Sequence, residues 1–261
     1  MVYKYYSSQD YNFDALEKQY FFFSKAKFLN DPFDTSLTLL SSENIKSLLK
    51  QDYNLSNDSS DIVDDYGVCC FSKSAVNKHL WALYSDNYKG FVLVLDDEKF
   101  AGLNEKFLAR INYLEVNYIE KLPDWNDLEN TVIKYEDLNA KENVNLRLND
   151  VFADSRSLEK LYLYLFSLKE KTTWSVEEER RMIICNDFRN GKERLSKLGV
   201  EYLENGYKLP MSDNSIRGII VGHNMSEENL KKIKDIAKRN NINDIKQTVA
   251  KTPFTIELEQ L

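Results

Sequence analysis

The sequence predicts an α+β fold built on a mixed, mostly antiparallel central sheet. Short runs of β-branched and aromatic residues recur along the chain, and amphipathic helical segments lie between them. The 261 residues are 43% hydrophobic and 13% aromatic, which is enough apolar surface for a large core. No linker rich in Pro, Gly or Ser divides this succession. We therefore predict one domain over residues 1–261, with a helical insertion near 123–171.

The first part of the chain begins with strand-forming residues. "VYKYY" predicts a first strand, the spacing of Phe13 and Leu16 predicts a short helix, and "YFFFS" predicts a second strand. "NDP" at 30–32 marks a turn, because the residue before a proline is driven out of the helical region. Apolar spacing predicts a short helix at 45–49, and the polar, acidic stretch 54–65 predicts an exposed loop.

The middle of the chain continues the alternation of strands and helices. "YGVCCFS" predicts a strand and "AVNKHLWALYS" a helix with one apolar stripe. "KGFVLVLD" predicts a buried strand, and "FLARINYLEVNYI" predicts a further strand. From 123 to 171 the pattern is typical of helix, with Leu128, Val132 and Tyr135 on one face and a very apolar segment at 158–168.

The last part of the chain predicts a hairpin, a central strand, a helix and a final strand. "VEYLENGYKLP" indicates a hairpin, because Asn-Gly suits the positive φ angles of a type I′ turn. "IRGIIVG" predicts the central strand and "SEENLKKIKDIAKRN" an amphipathic helix. "FTIEL" predicts the final strand, which completes the sheet.

The charge balance excludes some classes of partner. Lys and Arg number 35 against 42 Asp and Glu, so the formal net charge of −7 offers no global basic field for bulk nucleic-acid binding. No apolar run approaches the roughly 20 residues that a membrane span requires, so we expect no membrane partner. The N-terminal residues lack the order of a signal peptide, which predicts a cytoplasmic location.

The absence of several motifs narrows the chemistry further. The sequence has no P-loop, no GxGxxG after a strand and no GxSxG elbow. Three cysteines without a CxxC pair, and two distant histidines, give no zinc-ligand spacing, so we predict no metal site. One acidic run, "DDEK" at 96–99, is typical of metal-dependent nucleases, which use carboxylates to hold a divalent cation. The same run would equally cap a helix after a buried strand.

The stretch "TTWSVEEERRM", 172–182, is the most charged candidate site. Ser175 and Glu178 have the spacing of a capping box, which favours a helix start. The apolar residues that follow favour a strand, in which Glu177, Glu179 and Arg181 would share one face. Arg181 would then pair with one glutamate and leave the other for chemistry. A salt-bridged strand edge remains the alternative without chemistry.

Five motifs occur in one order along the chain, and together they resemble a bacterial family of unknown function. The motifs are "FLNDPFD" (28–34), "CFS" (70–72), "LWALYSDNYKG" (80–90), "KTTWSVEEERRM" (171–182) and "IRGIIVG" (216–222). The chain resembles abortive-infection proteins more loosely. Its layout is also similar to that of ADP-ribosyltransferases. In that class, three strands supply a polar residue for the NAD ribose, a serine or aromatic residue, and a catalytic glutamate.

The resemblance to ADP-ribosyltransferases implies roles for particular residues. Ser72 would come from the second of these three strands, which is "YGVCCFS" here. Glu177 or Glu179 would be the catalytic glutamate that stabilises the oxocarbenium-like charge as nicotinamide leaves. An E-x-E pair is similar to transferases whose first glutamate orients the acceptor. On the first strand, Lys4 stands where the pattern has arginine or histidine, and lysine lacks the planar fork of arginine.

The same resemblance implies an NAD-binding cleft, with NAD as the substrate. Trp81 and Tyr84 would supply flat rings to floor a nicotinamide or adenine site, although such a pair also forms ordinary core. The expected binding residues are Lys4, Tyr5, Asn30, Asp31, Trp81, Tyr84 and Arg181.

Three functional hypotheses follow from these observations. The first is an NAD-using ADP-ribosyltransferase-like effector or toxin, in bacterial phage defence. The second is a catalytically inactive member of the same fold that binds a nucleotide, a protein or RNA, for example as an antitoxin. The third is a metal-dependent nuclease centred on Asp96, Asp97 and Glu98.

Overall fold

The structure is a computed structural model that describes residues 1–31, 34, 66–100, 111–152, 155–185, 195–252 and 255–261. Its strands are β1 (Val2–Tyr6), β2 (Tyr20–Lys25), β3 (Tyr66–Ser72), β4 (Phe91–Leu95), β5 (Ile111–Glu115), β6 (Asn117–Ile119), β7 (Val132–Asp137), β8 (Glu142–Arg147), β9 (Leu168–Glu170), β10 (Glu179–Cys185), β11 (Glu201–Leu203), β12 (Gly206–Pro210), β13 (Ile216–Val221), β14 (Ile245–Thr252) and β15 (Thr255–Gln260). The α-helices are α1 (Asp10–Glu17), α2 (Lys78–Leu83), α3 (Ser155–Ser167), α4 (Lys171–Trp174) and α5 (Glu227–Arg239).

Thirteen of these strands form one large sheet. Its main path runs in the order β15-β14-β13-β4-β1-β3-β10-β5-β7-β8, and β2, β12 and β11 continue from β3. Among the described strands of this sheet, β13 and β14 pair parallel and the other pairs are antiparallel. Helix α5 connects β13 to β14, as a parallel pair requires a crossover. The predicted mixed, mostly antiparallel sheet is therefore confirmed.

Each face of the sheet packs against a separate set of helices. On one face, Phe13 and Leu16 of α1 and Ile233 of α5 join the largest apolar cluster. On the other face, helix α3 packs over β3, β5, β7 and β10. Strand β10 shows how side-chain alternation divides these layers, because Met182 belongs to the first cluster and Ile183 to the second.

The secondary structure predicted for 123–171 is wrong over 132–147, where strands replace helix, and a helix is present over 155–167. Strands β7 and β8 form an antiparallel hairpin over 132–147, whereas α3 covers the very apolar segment as predicted. Ile133 and Tyr135 are buried and Val132 is exposed, so the apolar period of this stretch is two rather than 3.6. The helix predicted from the spacing of Leu128, Val132 and Tyr135 is therefore wrong.

The other predicted elements that fall on described residues are present. The predictions for 45–49 and 54–65 lie outside the described residues. In the β11–β12 hairpin, the predicted type I′ turn is wrong, because Leu203 pairs with Gly206 and neither Glu204 nor Asn205 has a positive φ. Gly206 is required for another reason, since a Cβ there would lie 2.0 Å from the Phe23 carbonyl oxygen.

A left-handed turn fixes helix α2 to the sheet. Asp86, Asn87 and Tyr88 follow one another with φ angles of 50°, 52° and 66°. Each such residue costs about 1–2 kcal/mol, so surrounding contacts must hold the turn. The Tyr88 ring stacks on Trp81 at 5.6 Å between centroids, and the Tyr88 carbonyl accepts from the backbone N–H of Asn224 at 3.0 Å. The turn therefore holds the C-terminal end of α2 against the sheet.

Substitution of Asn87 tests whether this turn is strained. Asn87→Val should lower the free energy of unfolding by about 1–2 kcal/mol, because a β-branched residue tolerates the left-handed region poorly. Asn87→Gly should change it by less than about 1 kcal/mol, since glycine adopts this region freely. Urea denaturation of the two variants and the wild type provides the comparison. Equal destabilisation by valine and glycine would contradict the assignment of strain.

Candidate functional site

Three neighbouring strands bring one row of polar side chains together. Ser72 at the end of β3 pairs with Tyr3 of β1 on one side and with Glu179 of β10 on the other. Because directly paired residues of antiparallel strands point to the same face, Tyr3, Ser72 and Glu179 form a row across the sheet. The first strand therefore contributes Tyr3 to this row, whereas the resemblance to ADP-ribosyltransferases implied Lys4.

Lys4 lies where strands β1 and β3 separate. These strands share a single paired position, Tyr3 with Ser72, so their ladder does not continue. The Nζ of Lys4 donates to the carbonyl oxygen of Cys70 at 3.2 Å, which satisfies a group that a longer ladder would have bonded. The same ammonium lies 5.5 Å from the centroid of the Phe71 ring. Lys4 therefore lies at the gap between the two strands.

A cleft of about 260 Å³ opens over this row of side chains. Eight of the predicted site residues line it, and they come from five separate segments of the chain. These eight are Lys4, Tyr5, Asn30, Asp31, Ser72, Tyr84, Glu177 and Glu179. The structure thus brings together most of the residues predicted for an NAD-binding cleft.

Glu177 reaches the cleft from a turn rather than from the strand. A single 3-10 turn covers Ser175–Glu177, and Glu178 with a φ of 47° ends it before β10 begins. The predicted α-helix start at Ser175 is therefore wrong. The predicted strand face shared by Glu177, Glu179 and Arg181 is also wrong, because Glu177 lies before the strand. The Ser72 hydroxyl donates to the Glu177 carbonyl oxygen at 2.8 Å, and the Asn77 side chain donates to the Val176 carbonyl oxygen. Ser72 is therefore a positioning residue for the glutamate turn.

The carboxylate of Glu177 accepts hydrogen bonds from two sides. Tyr84 at the C-terminal end of α2 donates its hydroxyl at 2.9 Å, and the Nζ of Lys169 donates at 2.7 Å. Burial raises the pKa of Tyr84, so its hydroxyl keeps the proton that it donates. Asn77 fixes the start of α2 by capping it, since its side chain accepts from the backbone N–H groups of His79 and Leu80.

Arg181 is the most completely bonded side chain of the site. It is fully buried, and all five of its N–H groups have an acceptor. Two bind the Asp34 carboxylate at 2.6 Å each, two bind the Glu179 carboxylate at 2.8 and 3.1 Å, and one binds the Phe166 carbonyl oxygen at 2.9 Å. Arg181 therefore fixes the orientation of both carboxylates at once.

Lys169 completes the ion cluster from β9. Its Nζ lies 2.7 Å from the Glu177 carboxylate, 2.9 Å from Glu179 and 4.0 Å from Asp34. The same Nζ lies 4.6 Å from the centroid of the Trp174 ring. Burial lowers the pKa of Lys169, but the neighbouring negative charges, chiefly those of Glu179 and Glu177, together outweigh it, so the pKa is raised. Lys169 therefore stays an ammonium ion.

Glu179 keeps its negative charge despite complete burial. Burial raises its pKa, but the charges of Arg181 and Lys169 outweigh that effect and lower the pKa to about 2. Burial raises the pKa of Asp34, although Arg181 acts in the opposite direction. At neutral pH the Glu179 carboxylate is therefore a fixed anion beside the cleft.

Two predicted binding residues do not line the cleft. Trp81 is fully buried between Tyr5, at 5.4 Å edge to face, and Tyr88, and its indole N–H donates to the Ala75 carbonyl oxygen. It is a core residue, and Tyr84 alone of the predicted pair reaches the cleft. Arg181 lies behind Glu179 with its donors all used within the protein. It cannot bind a ligand without giving up a carboxylate.

Three further residues belong to the site and were not predicted from the sequence. Lys169, Asp34 and Trp174 all line the cleft. One feature of the sequence indicates that Lys169 is buried. It follows directly on the very apolar segment at 158–168, whose residues are largely buried. Asp34 and Trp174 stood inside motifs already noted, but neither spacing nor composition showed that they meet Arg181 and Lys169.

The acidic run at 96–99 lies apart from the cleft. Asp96 pairs with Arg217 at 2.5 Å, and Asp97 pairs with Arg180 at 2.8 Å. Within the part of the chain that the structure describes, no group of three or more His, Cys, Asp or Glu side chains is placed to hold a metal ion. No helix among the described residues is long and apolar enough to cross a membrane.

Comparison with known protein families gives a match over the middle of the chain. A family model described as a protein of unknown function (DUF2971) matches residues 80–182. The matched segment begins in helix α2 and ends in β10, so it contains Tyr84, Lys169, Glu177, Glu179 and Arg181. No curated protein matches the chain. No solved structure matches it either.

Substitution of the two adjacent arginines tests the buried cluster. Arg181→Met should lower the free energy of unfolding by about 3–5 kcal/mol, because it leaves the buried carboxylates of Asp34 and Glu179 without their cation. Arg180→Met is the matched control, since Arg180 is 24% exposed and pairs with Asp97 and Glu115 near the surface. It should cost about 1 kcal/mol or less. Similar losses in both variants, measured by urea denaturation, would contradict the account of the cluster.

Proposed function

We propose that the cleft binds NAD and breaks the bond between nicotinamide and ribose, as in an ADP-ribosyltransferase or an NAD glycohydrolase. The resemblance to abortive-infection proteins supports an effector or toxin role in bacterial phage defence, acting in the cytoplasm. The observation that carries the proposal is the buried charge beside the cleft. The cluster contains the carboxylates of Asp34, Glu177 and Glu179. Lys169 and Arg181 pair with them, which leaves a formal charge of −1.

This charge suits the chemistry of nicotinamide release. The C1′–N bond breaks, its electron pair leaves with the nicotinamide ring, and the ribose becomes a cation like an oxocarbenium ion. A fixed anion that cannot relax stabilises such a cation more in a desolvated cleft than in water. A nucleophile then adds its electron pair to C1′ and releases its proton. Glu177 and Glu179 are the carboxylates placed for the charge stabilisation.

The two glutamates differ in what they offer a substrate. A carboxylate has about four acceptor positions. Glu179 accepts from Arg181 twice and from Lys169 once, whereas Glu177 accepts from Tyr84 and Lys169. Glu177 therefore has more capacity left for a ribose hydroxyl, and Glu179 supplies mainly charge. The rings of Tyr3, Tyr84 and Trp174, which also line the cleft, give the nicotinamide ring surfaces to stack on.

One observation favours the alternative, a catalytically inactive member that binds a nucleotide or another partner. The Lys4 ammonium already donates to the Cys70 carbonyl oxygen, and the row on the sheet presents Tyr3 in place of an arginine or histidine. A site without that cation binds the phosphates of NAD less strongly. Binding without turnover is the behaviour that this alternative predicts.

The test is release of nicotinamide from NAD labelled in that ring, with and without cell extract. Glu177→Gln and Glu179→Gln should each lower the rate about 100-fold, because each removes charge stabilisation of the transition state. Glu178→Gln is the control, since Glu178 stands between them in sequence but is exposed. It should leave the rate unchanged. Circular dichroism verifies that each variant is folded.

Three outcomes would count against the proposal. If wild-type protein binds NAD in calorimetry but releases no nicotinamide, the inactive binding member replaces it. If NAD neither binds nor reacts, the cleft serves another ligand. Equal loss in the Glu178→Gln control would show that the effect is not specific to the cleft.

A further inference from the structure

The first residue of β10 lies where strand β5 leaves the central sheet. The two strands pair in antiparallel register as far as Glu115 with Arg180. The next pair in this register is Val116 with Glu179. After Val116 the chain continues as β6, which pairs with β9 in the small parallel sheet. Glu179, which lines the cleft, is therefore the residue of β10 at which this ladder ends.

A tyrosine hydroxyl takes the place of one backbone hydrogen bond at this position. Paired residues of an antiparallel ladder exchange two backbone bonds at every second position. The Val116 N–H donates to the Glu179 carbonyl oxygen at 3.3 Å, which is one of these bonds. The Glu179 N–H donates to the Tyr118 hydroxyl at 2.7 Å, where a continued ladder would have offered the Val116 carbonyl. Tyr118 therefore holds the backbone of Glu179 where the ladder has ended.

Burial makes this hydrogen bond important for Glu179. The residue is buried, and a buried backbone N–H without an acceptor costs free energy comparable to a lost hydrogen bond. Burial also raises the pKa of Tyr118, so its oxygen accepts as part of a neutral hydroxyl. The place of the Glu179 backbone is therefore tied to the place of the Tyr118 ring.

Strand β6, which carries Tyr118, is itself fixed by its neighbours. The Asn117 side chain donates to the Lys134 carbonyl oxygen of β7 and to the Ser167 hydroxyl, at 2.9 Å each. Ser167 is fully buried, and its hydroxyl donates to the Tyr164 carbonyl oxygen of α3 at 2.7 Å. These bonds hold β6 against β7 and the C-terminal end of α3. The Tyr118 hydroxyl therefore has a defined position.

Strand β6 also holds the strand that supplies Lys169. Tyr118 of β6 pairs with Lys169 of β9 in the small sheet. The Nζ of Lys169 lies 2.9 Å from the Glu179 carboxylate. One short strand therefore fixes both the backbone of Glu179 and the strand whose lysine binds its carboxylate.

We propose that Tyr118 is a positioning residue, which sets the place of the Glu179 carboxylate relative to Lys169 and Arg181. Without the hydroxyl, the Glu179 N–H has to find another acceptor, and the start of β10 moves with it. The hydrogen bonds from Lys169 and Arg181 to the carboxylate then weaken, because such bonds depend steeply on distance and angle. The catalytic consequence rests on the proposed function: a displaced carboxylate stabilises the developing ribose cation less.

The positioning role is tested without NAD in Tyr118→Phe, which removes only the hydroxyl. The carboxyl ¹³C resonance of Glu179 should titrate about one pH unit higher than in wild type, because weaker bonds stabilise the anion less. The Glu179 amide proton should exchange with solvent about tenfold faster. Tyr135→Phe is the matched control, since Tyr135 of β7 is buried in the apolar cluster under α3. It should change neither value.

The catalytic consequence is tested by the rate of nicotinamide release from NAD. Tyr118→Phe should lower kcat about tenfold and leave KM nearly unchanged, because the hydroxyl acts on Glu179 rather than on the bound substrate. Tyr135→Phe should match wild type in both constants. Circular dichroism verifies that both variants are folded.

The possible results separate the positioning role from the proposed function. A Glu179 titration that does not move in Tyr118→Phe, or that moves equally in Tyr135→Phe, overturns the positioning role. A shifted titration with an unchanged kcat overturns the catalytic consequence. A shifted titration in a protein that releases no nicotinamide overturns the proposed function and leaves the positioning role standing. If Tyr118→Phe does not fold, exchange in wild type decides: a protected Glu179 amide supports the bond to Tyr118, and an unprotected one overturns it.

Discussion

The Arg181 guanidinium is the interaction on which the rest of the site depends. It lies in the middle of β10, fully buried, and binds two carboxylates and one backbone carbonyl through all five of its N–H groups. A buried cation of this kind is costly unless every donor is satisfied, and its carboxylates are costly without it. Asp34, Glu179 and, through Lys169, Glu177 are therefore fixed as one unit. The cluster specifies geometry more than it adds stability.

The chain positions this unit by local devices on each side of the cleft. The 3-10 turn before β10 places Glu177, which the strand alone would have turned elsewhere, and Ser72 holds that turn. The left-handed turn after α2 keeps Tyr84 within reach of the Glu177 carboxylate. The small β6–β9 sheet brings Lys169 to the cleft. The result is a fixed anionic wall beside the cleft, which is the physical basis of the proposed function.

The sequence predicted the strands of the site well, because their burial follows residue type and alternation. The resemblance to ADP-ribosyltransferases, and not their spacing, implied that Ser72, Glu177 and Glu179 share one site. The sequence prediction failed at 132–147, where a short apolar pattern fits either period, and at Lys4, where the register of β1 decides which side chain faces Ser72. The roles of Lys169 and Asp34 could not be predicted, because they come from contacts between segments far apart in sequence. The αL conformation of Glu178 has no signal in composition.

Arg181 and Lys169 hold Glu179 as a buried anion. Since its folded pKa is depressed, its contribution to stability is present above the unfolded value of 4.5 and is lost as the pH falls towards about 2. The direct measurement is a pH titration of the glutamate side-chain carboxyl ¹³C resonances, assigned with Glu179→Gln. We expect the Glu179 resonance to stay at its ionised position down to about pH 3 and to reach its midpoint near pH 2. A midpoint near 4.5, or above it, would contradict the account.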